Sequence, residues 1–467
     1  MRGEENLSPE QFLLLLLEKE PRLVLESFEK VNQGMRDLGF SRGWPIFGVV
    51  FVPASSEKRL IPLWQNLMSA RCKVVELFLR DSSVRPIFGF TTDEEELIVN
   101  DPFLTTGDIY EGKIKGLPLI AIARLDGFVG TQFPNGYSNN EGNTGEPGGM
   151  DYHDVIGDSL WETVLGQELR RHFQLRRFTI REALVRTALR HFEVWNNKQA
   201  ISKPKAAVVI GANVDREVGL VAAGIERFLP TNVAAVDDPN WDFNGKSLRF
   251  HRKEVGLLIR TSSAEINLLA EAAGPVTKAL LTGAVLAVPT ISGRVGGNKV
   301  ADFFLSQKQD MLGLTKDEFR AVQSIPRTVV AAPEAINWAI QHQQDLILKP
   351  NLGGGGQDAP GGRGIPVTFG GEVSVSRWRE LQEIASASNT RRYVNQKVVP
   401  ITRGEFVSVQ DEDLGLYEVA WGLDPYMFAG RFVGYAARGV VNPPNNHLVK
   451  LNVGDGIAHS GCIYTVL

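Results

Sequence analysis

Three short apolar runs, "IFGVVFVP" (46–53), "LPLIAIARLDGF" (117–128) and "AAVVIGA" (206–212), are separated by segments whose apolar residues recur at helical spacing. Runs of this length, rich in β-branched residues and closed by glycine or proline, form strands. The helical spacing predicts helices over 160–173, 179–194 and 217–228. Strands that alternate with helices must bury one face of each helix on a sheet, so the chain is expected to be α/β. A length of 467 residues supports a full-sized core with no disulfide or metal staple.

The formal net charge is only -4, so no basic footprint for nucleic acid is visible. The two cysteines, Cys72 and Cys462, lie far apart. That argues against a disulfide framework or a cysteine zinc site, and a cytoplasmic setting is expected. The run Leu13–Leu17 follows Glu4, Glu5 and Glu10, whereas a signal peptide needs a basic start. No run approaches the roughly 20 apolar residues of a membrane span. Ser8-Pro9-Glu10 reads instead as a helix start, with Ser8 as N-cap, and residues 1–39 as one or two amphipathic helices.

Boundaries fall at the polar stretch "NNKQAISKPK" before residue 204 and near Pro289. Between them a strand leads through Gly211 into a helix. The loop "IGANVDREVG" lacks the G-x-G-x-x-G that lets backbone approach a pyrophosphate, so a bare α/β scaffold is the better reading than a dinucleotide site.

Four stretches carry chemistry. "DLILKPNLGGGGQDAPGGRGI" (345–365) closes an apolar strand with Lys349 and continues into a glycine-rich loop. Glycines such as Gly354, Gly355, Gly356 and Gly362 let backbone N–H groups wrap anionic oxygens, and a buried lysine needs an anionic partner. The alternative is a plain surface loop; no Walker A motif is present. In "ARLDGF", Arg124 and Asp126 stand two apart and point to one side of a strand; Glu141 and Asn143 do the same in "NNEGNTGEPGG". Asp126, Glu141 and Asn143 are hard oxygen ligands suited to Mg²⁺, and Arg124 offers a fork to phosphate, although the asparagines and glycines read equally well as turns. "YVNQKVVP", with Gln396, has the form of a strand beside an adenine. Arg438, in "GRFVGYAARGVVN", ends a strand-like run and is either a phosphate ligand or a solvent-facing arginine. G-x-S-x-G and H-E-x-x-H are absent, and His153, His447 and His459 read as polar loop residues.

In this order the pieces resemble the circularly permuted ATP-grasp ligases related to glutathionylspermidine synthetase. The resemblance covers about 117–467. It rests on Arg124-Leu125-Asp126, Glu141-Gly142-Asn143 running to Pro147-Gly148-Gly149, Asn298-Lys299 opening a helix, Lys349-Pro350 with its glycine-rich lid, Gln396 and Arg438. It implies a permuted ATP-grasp fold: a half with the metal ligands at 117–203, a Rossmann-like domain at 204–289, and a half with lid and adenine hinge at 290–467. Residues 1–116 match nothing and are left as a possible substrate-binding α/β part.

The family implies ATP and Mg²⁺, with Asp126, Glu141 and Asn143 as metal ligands. It implies Lys299 and Lys349 as phosphate ligands, and Arg124 and Arg438 at the terminal phosphate. The implied reaction joins a small-molecule or peptide carboxylate to an amine through an acyl phosphate, with a lid that excludes water. A nucleotide-binding scaffold without turnover is the first alternative, because Gly439-Val440-Val441 stand where the family has an acidic residue soon after its late arginine. A dinucleotide-dependent oxidoreductase is the second. Oligomeric state stays open, a homodimer included.

Overall fold

The computed structural model describes residues 7–37, 46–145, 148–199, 206–211, 216–227, 229–261, 269–270, 274–352, 365–388, 392–410, 413–443, 451 and 458–467. The fold is mixed α/β, as expected, and is organised on three larger sheets.

The largest has eight strands. Its main path runs Ile46–Pro53, His459–Val466, Arg431–Val441, Asp413–Phe428, Ile122–Val129, Tyr137–Asn143. The first pair is parallel and the others are antiparallel. Strand Ile46–Pro53, from the part of the chain that the sequence could not place, is thus built into the same sheet as Arg124 and Arg438. The expected strand over 117–128 divides into Leu117–Pro118 and Ile122–Val129.

A second sheet is all parallel, in the order Leu286–Val288, Leu257–Arg260, Ala207–Gly211, Thr231–Ala235. Parallel neighbours need a crossover, and the helix Arg216–Glu226 joins Ala207–Gly211 to Thr231–Ala235. Ala207–Gly211 and Leu257–Arg260 are buried throughout, which is why "AAVVIGA" reads as a continuous apolar run. The third sheet is antiparallel: Thr328–Val330, Tyr393–Lys397, Leu346–Pro350, Thr368–Phe369. The segment 353–364 connects its last two strands and lies outside the described residues.

Ser8 caps the helix Pro9–Lys19 through a reciprocal box with Gln11, as Ser8-Pro9 predicts. A second helix, Pro21–Asp37, follows and buries Val24, Phe28, Val31 and Met35, residues spaced three or four apart along one face. The expected helix over 160–173 is two, Met150–Trp161 and Val164–His172, because Thr163 stops one and caps the next. The 27-residue helix Ala54–Arg80 lies against the large sheet and buries Trp64, Leu67, Met68 and Arg71. No described helix is long and apolar enough to cross a membrane.

Candidate active site

The pairing of Ile122–Val129 with Tyr137–Asn143 sets Arg124 opposite Asn143 and Asp126 opposite Glu141. Side chains alternate along a strand, so all four stand on one face. Gly142, between two of them, has no room for a side chain: a Cβ there would sit 2.6 Å from the Arg71 guanidinium carbon. On the other side Tyr426 pairs with Arg124, which brings Asp424, two residues earlier, to the same face. Arg438 lies on the next strand opposite Gly422. The two-apart spacings read from the sequence therefore converge with a strand from the far end of the chain.

Charges knit this face together. Arg124 binds Asp126 through Nε–Oδ1 at 2.6 Å and Nη2–Oδ2 at 3.1 Å. Arg438 reaches Asp126 Oδ2 at 2.8 Å with Nη2, and its Nε donates to Asp424 Oδ2 at 2.6 Å. Asp424 Oδ1 accepts the Gly127 N–H at 2.9 Å. Burial pushes the Asp126 carboxyl up, but Arg124 and Arg438 overcome this and hold it down at about 2. Burial and the Asp126 charge raise Asp424 against the pull of Arg438.

Asn298 caps the helix Lys299–Gln307, so Asn298-Lys299 does open a helix. Lys299 lies at its first position, with Nζ 3.0 Å from Glu141 Oε1. Its backbone N–H donates to the carbonyl of Asn351, just beyond Lys349-Pro350. Lys349 is the last but one residue of Leu346–Pro350, and its Nζ donates to Gln396 Oε1 at 2.7 Å. Burial lowers the Lys349 pKa and Lys299 adds to this, while Glu141 opposes it. Burial raises Glu141, but Lys299 and Lys349 bring it below its ordinary value. Arg124, Lys299, Lys349 and Arg438 thus surround Asp126, Glu141 and Asp424.

Gln396 belongs to the third sheet. It lies on a strand paired on both sides, opposite Thr328 and Ile347. Its side chain spans Lys349 and Thr328, so it holds the lysine. Gly354, Gly355, Gly356 and Gly362 lie outside the described residues.

Asp126, Glu141 and Asn143 offer two carboxylates and an amide on neighbouring strands, and Asn143 hydrogen-bonds Asp126. Among the described residues no group of three or more histidines, cysteines, aspartates or glutamates could hold a metal alone. The donor set nonetheless fits Mg²⁺, which binds one or two carboxylates and takes its remaining ligands from substrate phosphates and water.

Three residues were missed. Asp424 supplies the acidic partner that no residue just after Arg438 provides; its signal is a carboxylate inside the apolar run "WGLDPYMF". Tyr426 donates to the Gly148 carbonyl at 3.0 Å, beside Arg124 Nη1 at 2.7 Å. Arg71, fully buried, ties the strand of Glu141 to the helix of Lys299. His153, expected in a loop, lies on the helix Met150–Trp161. His459 opens the strand His459–Val466, and His447 lies outside the described residues.

These features define a mixed α/β chain with an ATP-grasp-like fold. The particular likeness is to a glutathione synthetase-like effector of Globodera pallida in its apo form, at TM-score 0.56 and 11% identity, covering 96% of this chain and 99% of that one. At that identity the likeness is one of fold. A protein assigned as a γ-glutamylcysteine synthetase from Methylobacillus flagellatus follows at TM-score 0.37 and 10% identity, covering 84% and 88%. The D-alanyl-alanine synthetase A of Vibrio cholerae reaches 0.29 at 11% identity, covering 56% and 74%, and neither carries weight here. No protein-family model and no curated protein sequence matches the chain.

Proposed function

We propose that this protein is an ADP-forming carbon–nitrogen ligase that joins a carboxylate to an amine at the expense of ATP, with the ATP-grasp halves in permuted order. One observation carries this reading: Arg124, Asp126, Glu141, Asn143 and Arg438 share one sheet face, and Lys299 bonds to Glu141 there. Four cationic side chains against three carboxylates suit a polyphosphate with its metal. Lys349 and Lys299 bind the phosphates in this reading, and Arg124 and Arg438 meet the terminal one.

The γ-phosphoryl group passes to the substrate carboxylate, giving an acyl phosphate and ADP. The amine nitrogen then attacks the acyl carbon, phosphate leaves, and the nitrogen gives up a proton. Phosphoryl transfer asks a protein chiefly for positioning and charge. The paired arginines supply both, because Asp126 and Asp424 fix their guanidinium planes. Mg²⁺, held by Asp126, Glu141 and Asn143, would shield the phosphate oxygens.

ADP release that requires both a carboxylate and an amine is the expected result. Purified protein that leaves Mg-ATP intact across a broad acid and amine panel sinks the proposal. One observation favours a second reading, a nucleotide-binding scaffold: both Asp126 oxygens already meet guanidinium groups, so a metal must compete for them. Nucleotide affinity that is independent of Mg²⁺, together with absent turnover, selects that reading.

A further inference from the structure

Where Gly148 leads into the helix Met150–Trp161, the site has a corner to which the phosphate-binding reading assigns no task. The Gly148 carbonyl accepts hydrogen bonds from Arg124 Nη1 at 2.7 Å and from the Tyr426 hydroxyl at 3.0 Å. Gly149 caps the helix at φ +83°, where a Cβ would be strained and would lie 3.5 Å from the Tyr426 oxygen and 3.9 Å from Arg124 Nη1. One turn into the helix, the His153 backbone N–H donates to the Gly149 carbonyl. The His153 ring packs beside Tyr426, with centroids 6.3 Å apart at 58°.

His153 Nδ1 is buried and has no hydrogen-bond partner among the described residues. Buried polar atoms are nearly always paired, and an exception calls for an explanation such as a role in binding or catalysis. Burial, then the charges of Arg124 and Arg438, push the His153 pKa down to about 3, so the ring is neutral near pH 7. A neutral imidazole keeps a lone pair on one nitrogen. Beside two arginines, a carboxylate or phosphate oxygen has stronger donors to choose from. What the arginines cannot offer is an acceptor, and a substrate N–H needs one.

We infer that His153 belongs to the amine subsite: its Nδ1 accepts a hydrogen bond from the nitrogen of the amine substrate as that nitrogen approaches the acyl carbon of the acyl phosphate, whose phosphoryl group Arg124 meets. The proton of the neutral ring is then on Nε2. This role rests on the ligase reading above and adds the residue that orients the nucleophile. A primary or secondary amine fits; a second anion at this corner does not.

The test uses the full chain with His153→Phe, which keeps an aromatic ring without nitrogen, and His153→Asn, which returns a short acceptor. Amide formation is followed with the proteinogenic amino acids as carboxylates and glycine, ethanolamine and spermidine as amines. Hydroxamate formation is followed with hydroxylamine, a small strong nucleophile that depends less on being oriented. For His153→Phe, the KM for the amine is expected to rise about ten-fold, the effect of one lost hydrogen bond, while the KM for ATP stays within about two-fold. Amide formation falls more than hydroxamate formation, and His153→Asn recovers part of the loss. An unchanged amine KM overturns the inference. So does an equal fall in both reactions alongside a raised KM for ATP, which makes His153 a packing residue for Tyr426. In either case the ligase reading survives on wild-type turnover. A wild-type chain that forms neither product and releases no ADP overturns the ligase reading, and this inference with it.

Discussion

Arg438 Nη2 lies 2.8 Å from Asp126 Oδ2, joining a strand near the chain's C-terminal end to one in its first third. The same guanidinium binds Asp424 through Nε, so one arginine bridges two carboxylates. Asp424 is fully buried and also accepts the Gly127 N–H. Asp424→Ala strips a half-buried cation of one partner and leaves a buried N–H unmet. A loss of about 3 kcal/mol in unfolding free energy is expected, the range for breaking a buried pair. Asp424→Asn keeps an oxygen for Gly127 and should lose less. Urea titration of the three proteins checks the order; equal stabilities would show that Asp126 alone satisfies Arg438.

Acid should weaken the same clamp in a defined window. Arg124 and Arg438 hold the native Asp126 carboxyl at about 2, against an ordinary value of 3.8. A native pKa below the unfolded one stabilises the fold above the unfolded value, and that stability is lost as pH falls through the native value. The contribution is on the order of 2 kcal/mol. It is present above about pH 4 and fades between about 4 and about 2. Asp424 titrates with the opposite sign, since its pKa is raised, so the total profile mixes the two. Subtracting the profile of Asp126→Asn leaves the clamp together with its coupling to Asp424. The difference between wild type and variant should shrink over that window, and a flat difference contradicts the assignment.

Lys349 makes a separate prediction about the ligand. Its Nζ rests on Gln396 Oε1, a neutral partner, and burial lowers its pKa. Glu141 acts on it through charge, and an arriving phosphate would place an anion in direct contact. Charge-assisted hydrogen bonds contribute about 1.5–3 kcal/mol, so Lys349→Ala should weaken Mg-ATP binding roughly 10- to 100-fold by calorimetry. Gln396→Leu leaves the charge and removes its rest, and a loss of a few fold is expected. Wild-type affinity in Lys349→Ala removes that residue from the site.

Much of this was legible because the signals are local. Ile46–Pro53 is a strand at the bounds its apolar run sets, and Ser8-Pro9 starts a helix because its hydrogen bonds span three residues. The spacing of Arg124 with Asp126 and of Glu141 with Asn143 survives because alternation along a strand fixes a common face. What was hidden depends on pairing between distant segments. Nothing near Arg438 in sequence announces Asp424, which reaches it from the adjacent strand; just after Arg438, Gly439 has no room for a side chain, since a Cβ would lie 2.6 Å from Val419 and 2.8 Å from Phe47. Gln396 sits on the expected strand, yet its side-chain partner is a choice made by sheet order. The strand over 117–128 breaks at 119–121, buried residues whose apolar character suits strand and coil alike.

Arg71 offers the sharpest separation of stability from function. It projects from the helix Ala54–Arg80, with Nη1 2.9 Å from the Gly296 carbonyl and Nη2 2.7 Å from both Asn139 Oδ1 and Asp302 Oδ1. Asn139 is two residues from Glu141, and Asp302 is three from Lys299, so Arg71 sets the spacing across which Glu141 and Lys299 meet. Both members of the Arg71–Asp302 pair are only 1% exposed. Arg71→Met leaves Asp302 charged and alone, at an expected cost of about 3–5 kcal/mol. Burial already raises the Asp302 pKa against the pull of Arg71, so part of that cost will appear as uptake of a proton. Pairing Arg71→Met with Asp302→Leu removes both charges, and such replacements are often neutral. The double variant should therefore regain most of the stability by urea titration. Its affinity for Mg-ATP should stay several-fold weak, because the Asn139 amide oxygen has lost its tie to Arg71 and the strand of Glu141 meets the helix of Lys299 without that brace. If stability and affinity recover together, Arg71 serves the core alone and has no part in placing the charged face.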